Sequence, residues 1–180
     1  LTDDLVEQLC EACPDTLICV DEAYEEFSSR PSYAPKIERY QNLIVIRTLS
    51  KAYALAGVRA GVAIADPRVI DLMLKVLPPY PIARPVEDAI LAALSPAAMA
   101  THAARLTEWV EQRERMQREL PRSPYVSKVW PSEANFLLLD VKDDAALLTE
   151  LARRNVKIRD YRESTGHMRI SIGSPDENTI

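Results

Sequence analysis

The sequence predicts an α/β fold in two parts, and three observations lead to this prediction. In the first 100 residues, short continuous apolar runs alternate with helical patterns, which is typical of strands buried in a mostly parallel sheet. A long amphipathic helical pattern then covers residues 96–120. Beyond it, strand patterns surround one further helix, as in a small α+β domain. We therefore expect part of a large domain in residues 1–100, and a linker helix with a small domain in residues 101–180.

The composition of the chain is that of a globular protein. It has 180 residues, of which 47% are hydrophobic and 27% are charged. Its net charge of -5 argues against a general nucleic-acid surface. No apolar run approaches the ~20 residues that a membrane-spanning helix needs, and no signal peptide opens the sequence. We therefore expect a cytoplasmic protein that binds neither nucleic acid nor membrane.

The three cysteines raise the question of a metal site, because Cys10 and Cys13 have the spacing of zinc ligands. A closed zinc site needs two more soft ligands nearby. Beyond Cys19, only His102 and His167 remain, and both are far away in the sequence. The cysteines are therefore expected to be reduced thiols, and no metal is expected.

The first part of the chain contains three predicted strands. An opening helix, capped by Thr2 and ended by Pro14, precedes the first strand at residues 16–20. The second strand covers residues 43–46, and the third covers residues 60–65. Each is a short apolar run, as expected for a strand buried on both faces.

Aspartate and proline mark the beginnings of the later helices. Asp66, followed by a proline, begins one helix, and Pro85 opens another. In the second part, Asp143 or Asp144 caps a helix that ends near Asn155, a residue prone to the left-handed conformation. The four strands predicted in this part lie at residues 126–129, 135–141, 156–159 and 168–172.

Polar side chains follow the first two strands at the point where each strand ends. Asp21 follows the first strand, and Tyr24 lies one turn later. Lys51 follows the second strand, and small residues separate it from Arg59. In open α/β sheets, ligands bind beyond the carboxyl ends of the strands. From its position alone, Lys51 is either a surface residue in an ion pair or a functional amine.

One alternative is a nucleotide-hydrolysing enzyme, because an apolar strand that ends in Asp21 and Glu22 resembles a Walker B strand. That function requires a phosphate-binding loop of the form GxxxxGK[ST] upstream. None of the four glycines lies in such a motif. The nucleotide interpretation would also leave Lys51 and the second domain unexplained.

The cofactor pyridoxal phosphate (PLP) needs the groups that this sequence supplies. A lysine amine forms a Schiff base with the aldehyde of PLP. The cofactor also needs an acid at its pyridine nitrogen, a hydrogen-bond donor near its phenolate oxygen, and positive charge with hydroxyl groups at its phosphate. The corresponding groups in this sequence are, in turn, Lys51, Asp21, Tyr24, and Arg59 with Ser50.

Three motifs resemble the successive signatures of fold-type I PLP-dependent aminotransferases. They are residues 20–24 (VDEAY), 48–52 (TLSKA) and 55–61 (LAGVRAG). Further segments are similar to one subfamily, the histidinol-phosphate aminotransferases. They are residues 78–80 (PPY), 135–136 (NF), 159–160 (RD) and 168–171 (MRIS). The resemblance covers essentially the whole chain.

The resemblance implies a cofactor site built from five residues. Lys51 would bind PLP covalently and move the proton between the substrate Cα and the cofactor. Asp21 would pair with the pyridine nitrogen, and Tyr24 would donate a hydrogen bond to the ring oxygen O3′. Ser50 and Arg59 would bind the cofactor phosphate. Lys51, Asp21 and Tyr24 would thus be the catalytic residues.

Two arginines in the second domain would bind the substrates. Arg169 would hold the carboxylate of the amino donor, or the phosphate of histidinol phosphate, and Arg159 would assist with that phosphate. The planar guanidinium suits both groups because it forms two parallel hydrogen bonds. A surface ion pair at the end of a strand would also explain Arg169.

The implied reaction converts histidinol phosphate and 2-oxoglutarate to imidazole acetol phosphate and glutamate, in histidine biosynthesis. Members of this family are homodimers whose remaining site residues lie upstream and in the partner subunit, so we expect an excerpt of a longer protein that is inactive alone. Two neighbouring activities stay open: an aromatic or broad-specificity aminotransferase, and a PLP decarboxylase for phosphorylated amino acids. A non-catalytic PLP-binding domain of a transcriptional regulator is a third alternative.

Overall fold

The structure, a computed structural model, describes residues 3–179, with side chains described from residue 5 onward. The predicted helix cap Thr2 lies outside the described residues. The chain divides into two compact units, Leu1–Ala100 and Thr101–Ile180, which we call unit 1 and unit 2.

Unit 1 is built on a small sheet. Its strands are β1 (Ile18–Asp21), β2 (Leu43–Thr48) and β3 (Gly61–Ala65), and its helices are α1 (Asp3–Ala12), α2 (Pro67–Val76) and α3 (Arg84–Ala93). β1 pairs in parallel with β2, and β3 runs antiparallel along the other edge of β2. An antiparallel edge strand beside parallel strands is common in α/β folds.

One face of this sheet carries the core of unit 1. Leu43 and Val45 of β2 are fully buried there, and Val6 of α1 packs against them. On the other face, Cys19 is exposed and Ile46 is 40% exposed. The prediction that these strands are buried on both faces is therefore wrong for the described residues. The reason is that α1 and the segment before β2 supply their packing side chains to one face of the pleat.

Unit 2 is built on an antiparallel sheet. Its elements are α4 (Pro96–Glu119, which begins before the unit boundary), β4 (Val126–Val129), β5 (Phe136–Val141), α5 (Asp144–Arg153), β6 (Arg159–Tyr161), α6 (Arg162–Thr165) and β7 (His167–Ser171). The strand order is β4-β5-β7-β6, and each neighbouring pair is antiparallel. Leu137 and Leu139 are buried on the core face, where Trp109 and Met116 of α4 pack against them.

Two helices begin where the sequence predicts a cap. The carboxylate of Asp66 accepts a hydrogen bond from Arg68 N at 2.9 Å and caps α2. The carboxylate of Asp143 accepts from Ala146 N at 2.9 Å and caps α5. Each cap satisfies a backbone N–H group of a first helical turn.

The carboxyl end of α5 extends into the residues where the sequence predicts a strand. Asn155 has a φ of 57°, the predicted left-handed conformation. The Val156 N–H donates to Leu151 O at 2.8 Å, so the chain is still closing the helix at this point. The strand predicted at residues 156–159 is therefore wrong in position, because β6 begins only at Arg159.

The structure also bears on metal and membrane binding. Among residues 3–179, no group of three or more His, Cys, Asp or Glu side chains is arranged to hold a metal ion. The cysteines are free thiols, with Cys10 buried and Cys13 and Cys19 exposed. None of the helices in this range combines the length and the apolar character needed to cross a bilayer.

Candidate active site

The first part of the candidate site lies at the carboxyl end of β1. Asp21 is the last residue of that strand, and it is exposed. Its Oδ1 accepts a hydrogen bond from Ala23 N at 2.9 Å, which orients the carboxylate at the strand end. The Glu22 N–H donates to Ile46 O at 2.8 Å, so the chain that leaves β1 stays beside β2. Tyr24 follows, half-buried, at the start of a short 3₁₀ turn.

The second part lies at the carboxyl end of β2. The hydroxyl of Thr48 accepts a hydrogen bond from Ser50 N at 3.1 Å, and the two hydroxyl oxygens are 2.9 Å apart. This turn places Lys51 just beyond the strand, where its Nζ lies 5.4 Å from the centroid of the Tyr24 ring. In the part of the chain that the structure describes, no carboxylate forms an ion pair with this amine. Because β1 and β2 are parallel neighbours, Asp21 and Lys51 belong to the same edge of the sheet.

Backbone strain marks the loop from Lys51 to Arg59. Ala54 and Arg59 have positive φ angles of 56° and 55°. A side chain other than glycine pays about 1–3 kcal/mol for this conformation, and such residues cluster at functional sites. Arg59 is exposed and donates to Ala56 O at 3.2 Å. No hydrogen bond or ion pair within residues 3–179 joins Arg59 to Ser50, so the structure does not bring the two predicted phosphate ligands into contact.

The two predicted substrate arginines are neighbours in unit 2. Arg159 of β6 and Arg169 of β7 are direct cross-strand partners, so their side chains emerge on the same face of the sheet. The Arg169 guanidinium carbon lies 5.1 Å from the ring centroid of Phe136 and 5.4 Å from that of Tyr161. Met168, next to Arg169, is fully buried on the opposite face. The predicted alternation is thus present, and two aromatic rings hold Arg169 in place.

A cavity of about 630 Å³ in unit 2 also borders these arginines. Its other walls are mainly apolar and include Leu139, Leu151 and Ile170. Because side chains alternate along a strand, Arg169 and Ile170 point to opposite faces. The apolar walls belong to the Ile170 face, which is the interior of unit 2. The cavity therefore adds nothing to the case for the arginines as substrate ligands.

Sequence analysis missed an ion-pair network beside the strand ends. Glu22 is only 7% exposed and accepts hydrogen bonds from Arg47 Nε at 3.0 Å, Ser32 Oγ at 2.7 Å and Tyr33 N at 2.6 Å. Arg47 also pairs with Glu25, at 2.9 Å. Glu22 and Arg47 each lie within a charged or polar stretch at the end of an apolar strand, and this signal could have indicated a buried pair.

A third carboxyl group lies close to this network. Glu26 Oε2 is buried and has no hydrogen-bond partner among the residues described. Burial raises the pKa of Glu26, and the negative charge of Glu25 adds to the effect. Burial likewise raises the pKa of Tyr53, two residues after Lys51, and the charge of Glu26 contributes. The candidate site is therefore bordered by carboxyl groups on one side.

Comparison with known proteins decides the family. The model of the aminotransferase class I and II family matches residues 1–180. The chain belongs to this family. Over 180 residues, it is 39% identical to histidinol-phosphate aminotransferase 2 of Idiomarina loihiensis. The aligned region covers 98% of this chain and 50% of that protein. This aminotransferase-family chain thus spans about half the length of the relatives that it matches.

Solved structures of other family members share the fold of this chain. The histidinol-phosphate aminotransferase of Clostridium acetobutylicum superposes with a TM-score of 0.86 and 22% identity, over 99% of this chain and 56% of that one. The histidinol-phosphate aminotransferase of Sinorhizobium meliloti, solved in complex with pyridoxal-5′-phosphate, superposes with a TM-score of 0.77 and 26% identity, over 97% and 50% of the two chains. The predicted α/β fold and the predicted aminotransferase family are therefore confirmed.

The donor groups of this aminotransferase chain fit the chemistry of PLP. The Lys51 amine has no described carboxylate partner, so it is free to react with an aldehyde. The hydroxyl groups of Thr48 and Ser50 lie beside it and can donate to a phosphate. The carboxylate of Asp21 stands at the end of the adjacent parallel strand, where it can pair with a ring nitrogen. The Tyr24 ring adjoins the lysine.

Proposed function

We propose that the protein to which this chain belongs is a PLP-dependent aminotransferase that converts histidinol phosphate and 2-oxoglutarate to imidazole acetol phosphate and glutamate. The observation that carries the proposal is the Lys51 amine, 5.4 Å from the Tyr24 ring at the carboxyl end of β2, without a described carboxylate partner. The 39% identity to a histidinol-phosphate aminotransferase supports the choice of substrate.

Five residues of unit 1 hold the cofactor in this proposal. Bound PLP supplies an electron sink for the electrons released at the substrate Cα. Lys51 would anchor the cofactor, and the Asp21 carboxylate would pair with the protonated ring nitrogen. The Tyr24 hydroxyl would donate a hydrogen bond to the ring oxygen, and Ser50 and Arg59 would bind the phosphate. The Lys51 amine, once the substrate amine has taken its place, would accept the proton of the substrate Cα.

Two residues of unit 2 recognise the substrates. The guanidinium of Arg169 binds a carboxylate or phosphate bidentately, and its stacking against Phe136 and Tyr161 pre-orients the planar group. Arg159, its cross-strand partner, adds a second positive charge for the dianionic phosphate of histidinol phosphate. A substrate that carries a phosphate suits this pair.

The proposal extends to the domains and the assembly. Residues 1–100 form the second part of a large PLP-binding domain, and residues 101–180 form a linker helix and a small domain. The whole protein is a cytoplasmic homodimer. The apolar side chains of Val76 and Tyr80, which are 84% and 92% exposed in this chain, would be covered by the partner subunit or by the rest of the protein.

The decisive experiment locates the cofactor on the full-length protein. After incubation with PLP and reduction with borohydride, peptide mass spectrometry should find the cofactor attached to Lys51. Lys51→Ala should abolish both this attachment and the absorbance of the lysine-bound cofactor, because the sequence has no other lysine between residues 37 and 74. Lys75→Ala on the exposed surface of α2 is the matched control and should retain both. Cofactor attached at an unchanged level in Lys51→Ala contradicts the proposal.

A substrate panel then tests the reaction. With 2-oxoglutarate as acceptor, the full-length protein should use histidinol phosphate with a kcat/KM at least about tenfold above those for phenylalanine and aspartate, because only the phosphate engages both arginines. A preference for phenylalanine would indicate an aromatic aminotransferase. Release of carbon dioxide without amino transfer would indicate a decarboxylase. A protein that binds PLP, turns over none of these substrates and binds DNA would indicate a regulator.

A further inference from the structure

A charge bridge, formed by Arg47 with the buried Glu22 and with Glu25, joins the two parts of the candidate site in addition to the backbone pairing. Glu22 directly follows Asp21, and its carboxylate is 7% exposed. One of its oxygens, Oε2, accepts from Arg47 Nε at 3.0 Å and from Ser32 Oγ at 2.7 Å. The other, Oε1, accepts from Tyr33 N at 2.6 Å. The carboxylate is thus fixed from three directions.

Arg47 contacts a residue next to Asp21 and a residue next to Tyr24. Its Nε donates to Glu22, which follows Asp21, and its Nη2 lies 2.9 Å from Glu25, which follows Tyr24. Arg47 itself lies near the end of β2, four residues before Lys51. One guanidinium therefore ties the segment that carries the acid and the phenol to the strand that carries the amine.

We propose that Arg47 is a positioning residue that sets Asp21 and Tyr24 relative to Lys51 through its contacts with Glu22 and Glu25. This inference rests on the proposed function of that site. A cofactor held at one point by an amine and at another by a carboxylate requires those groups at a fixed separation. Reacting groups displaced by as little as 1 Å can lose about 100-fold in rate.

The chemistry of the bridge requires arginine. A guanidinium offers donors along two edges of a rigid plane, so it can bind Glu22 and Glu25 at the same time. A lysine amine is a single point of charge on a flexible stem, and it cannot hold both carboxylates at these positions. Lysine nevertheless keeps the positive charge beside the buried Glu22, so Arg47→Lys removes the geometry and retains the charge balance.

The test uses the full-length protein saturated with PLP. In Arg47→Lys, the cofactor should remain attached to Lys51 in borohydride trapping. The circular dichroism of the lysine-bound cofactor should fall by about half, because the ring loses its fixed orientation. The kcat should fall at least about tenfold, while the KM for glutamate stays within about threefold. Arg39→Lys is the matched control, because Arg39 likewise bridges two carboxylates, Glu7 and Glu11, at an exposed position.

The outcomes separate this proposal from the proposed function. An Arg47→Lys protein with the dichroism and kcat of the Arg39→Lys control overturns the positioning role. If Arg47→Lys does not fold, Glu25→Ala decides, since it removes one of the two contacts and leaves Glu22 paired with Arg47. Glu25→Ala should lower both signals in the same direction, and unchanged signals overturn the proposal. A wild-type protein that never attaches PLP to Lys51 overturns the proposed function instead.

Discussion

Gly61 links the packing of the small sheet to the candidate site, and its replacement by alanine tests that link. Gly61 is the cross-strand partner of Thr48, at the end of β2 that leads to Lys51. A Cβ atom at Gly61 would lie 2.9 Å from the carbonyl oxygen of Arg47. An ordinary van der Waals contact begins at 3.4 Å, so the backbone of β2 or β3 must move by about 0.5 Å. No flexible side chain can absorb this shift, because the obstacle is backbone.

The expected cost follows from that displacement. Overpacking of this kind destabilises a folded protein by about 1–3 kcal/mol. Gly61→Ala should therefore lower the free energy of unfolding of the full-length protein by this amount. The matched control is Gly57→Ala in the loop that precedes β3, where a Cβ atom would meet nothing within 4 Å. By restricting the unfolded chain, Gly57→Ala should leave stability unchanged or raise it by up to about 1 kcal/mol.

Denaturant unfolding followed by far-ultraviolet circular dichroism measures both variants. The absorbance of the lysine-bound cofactor, measured in parallel, reports whether the displacement at Arg47 reaches Lys51, and we expect it to change only in Gly61→Ala. Free energies of unfolding that agree within about 0.5 kcal/mol for the two variants would contradict this prediction, because the close approach to the Arg47 carbonyl oxygen would then have no consequence.

Three further predictions concern charge. Asp21→Asn should still attach PLP to Lys51 but lose most of its kcat, because a neutral amide cannot keep the ring nitrogen protonated; a near-normal kcat would remove Asp21 from the site. Arg169→Ala should raise the KM for glutamate and for histidinol phosphate about 10- to 100-fold, the loss expected for charge-assisted hydrogen bonds, and unchanged values for both would exclude it as a ligand. Glu26→Gln should be stabilising at alkaline pH. Burial raises the pKa of Glu26, so its protonated form favours folding and that contribution is lost as pH rises through the folded pKa. The stability gain of Glu26→Gln should therefore grow as the pH rises above the ordinary pKa of a glutamate, and a difference in free energy of unfolding that stays constant with pH would contradict this prediction.

The parts of the fold that sequence predicted are those set by local chemistry. Asp66 and Asp143 cap their helices because a carboxylate can accept from a backbone N–H two or three residues later. Asn155 ends α5 because asparagine tolerates a positive φ. The strand-end positions of Asp21 and Lys51 were predicted in the same way, since Asp21 ends and Lys51 follows a short apolar run that forms a strand, while their roles stay predictions.

The parts that sequence did not predict depend on contacts between distant residues. The apolar run at 43–46 predicted a strand with two buried faces, yet within the described residues the fully buried side chains lie on the face against α1, and Ile46 on the other face is 40% exposed. A strand pattern cannot state which face finds a partner. The strand predicted at 156–159 failed because the Val156 N–H completes the helix before it, a competition that propensity does not reveal. Glu22 and Arg47 are 25 residues apart, so their pairing was visible only in the fold.

Backbone pairing and side-chain contacts stabilise different parts of the candidate site. Backbone pairing holds β1 and β2 together up to the hydrogen bond from Glu22 N to Ile46 O. Beyond that point, side-chain contacts join the two segments that carry the candidate site, and among them Arg47 pairs with Glu25 and with Glu22, which is 7% exposed. Substitutions that disturb the backbone pairing of β1 and β2 should therefore change the free energy of unfolding before they change the cofactor signals. Substitutions in the charge bridge should change the cofactor signals first, because the strands remain paired when the bridge is altered.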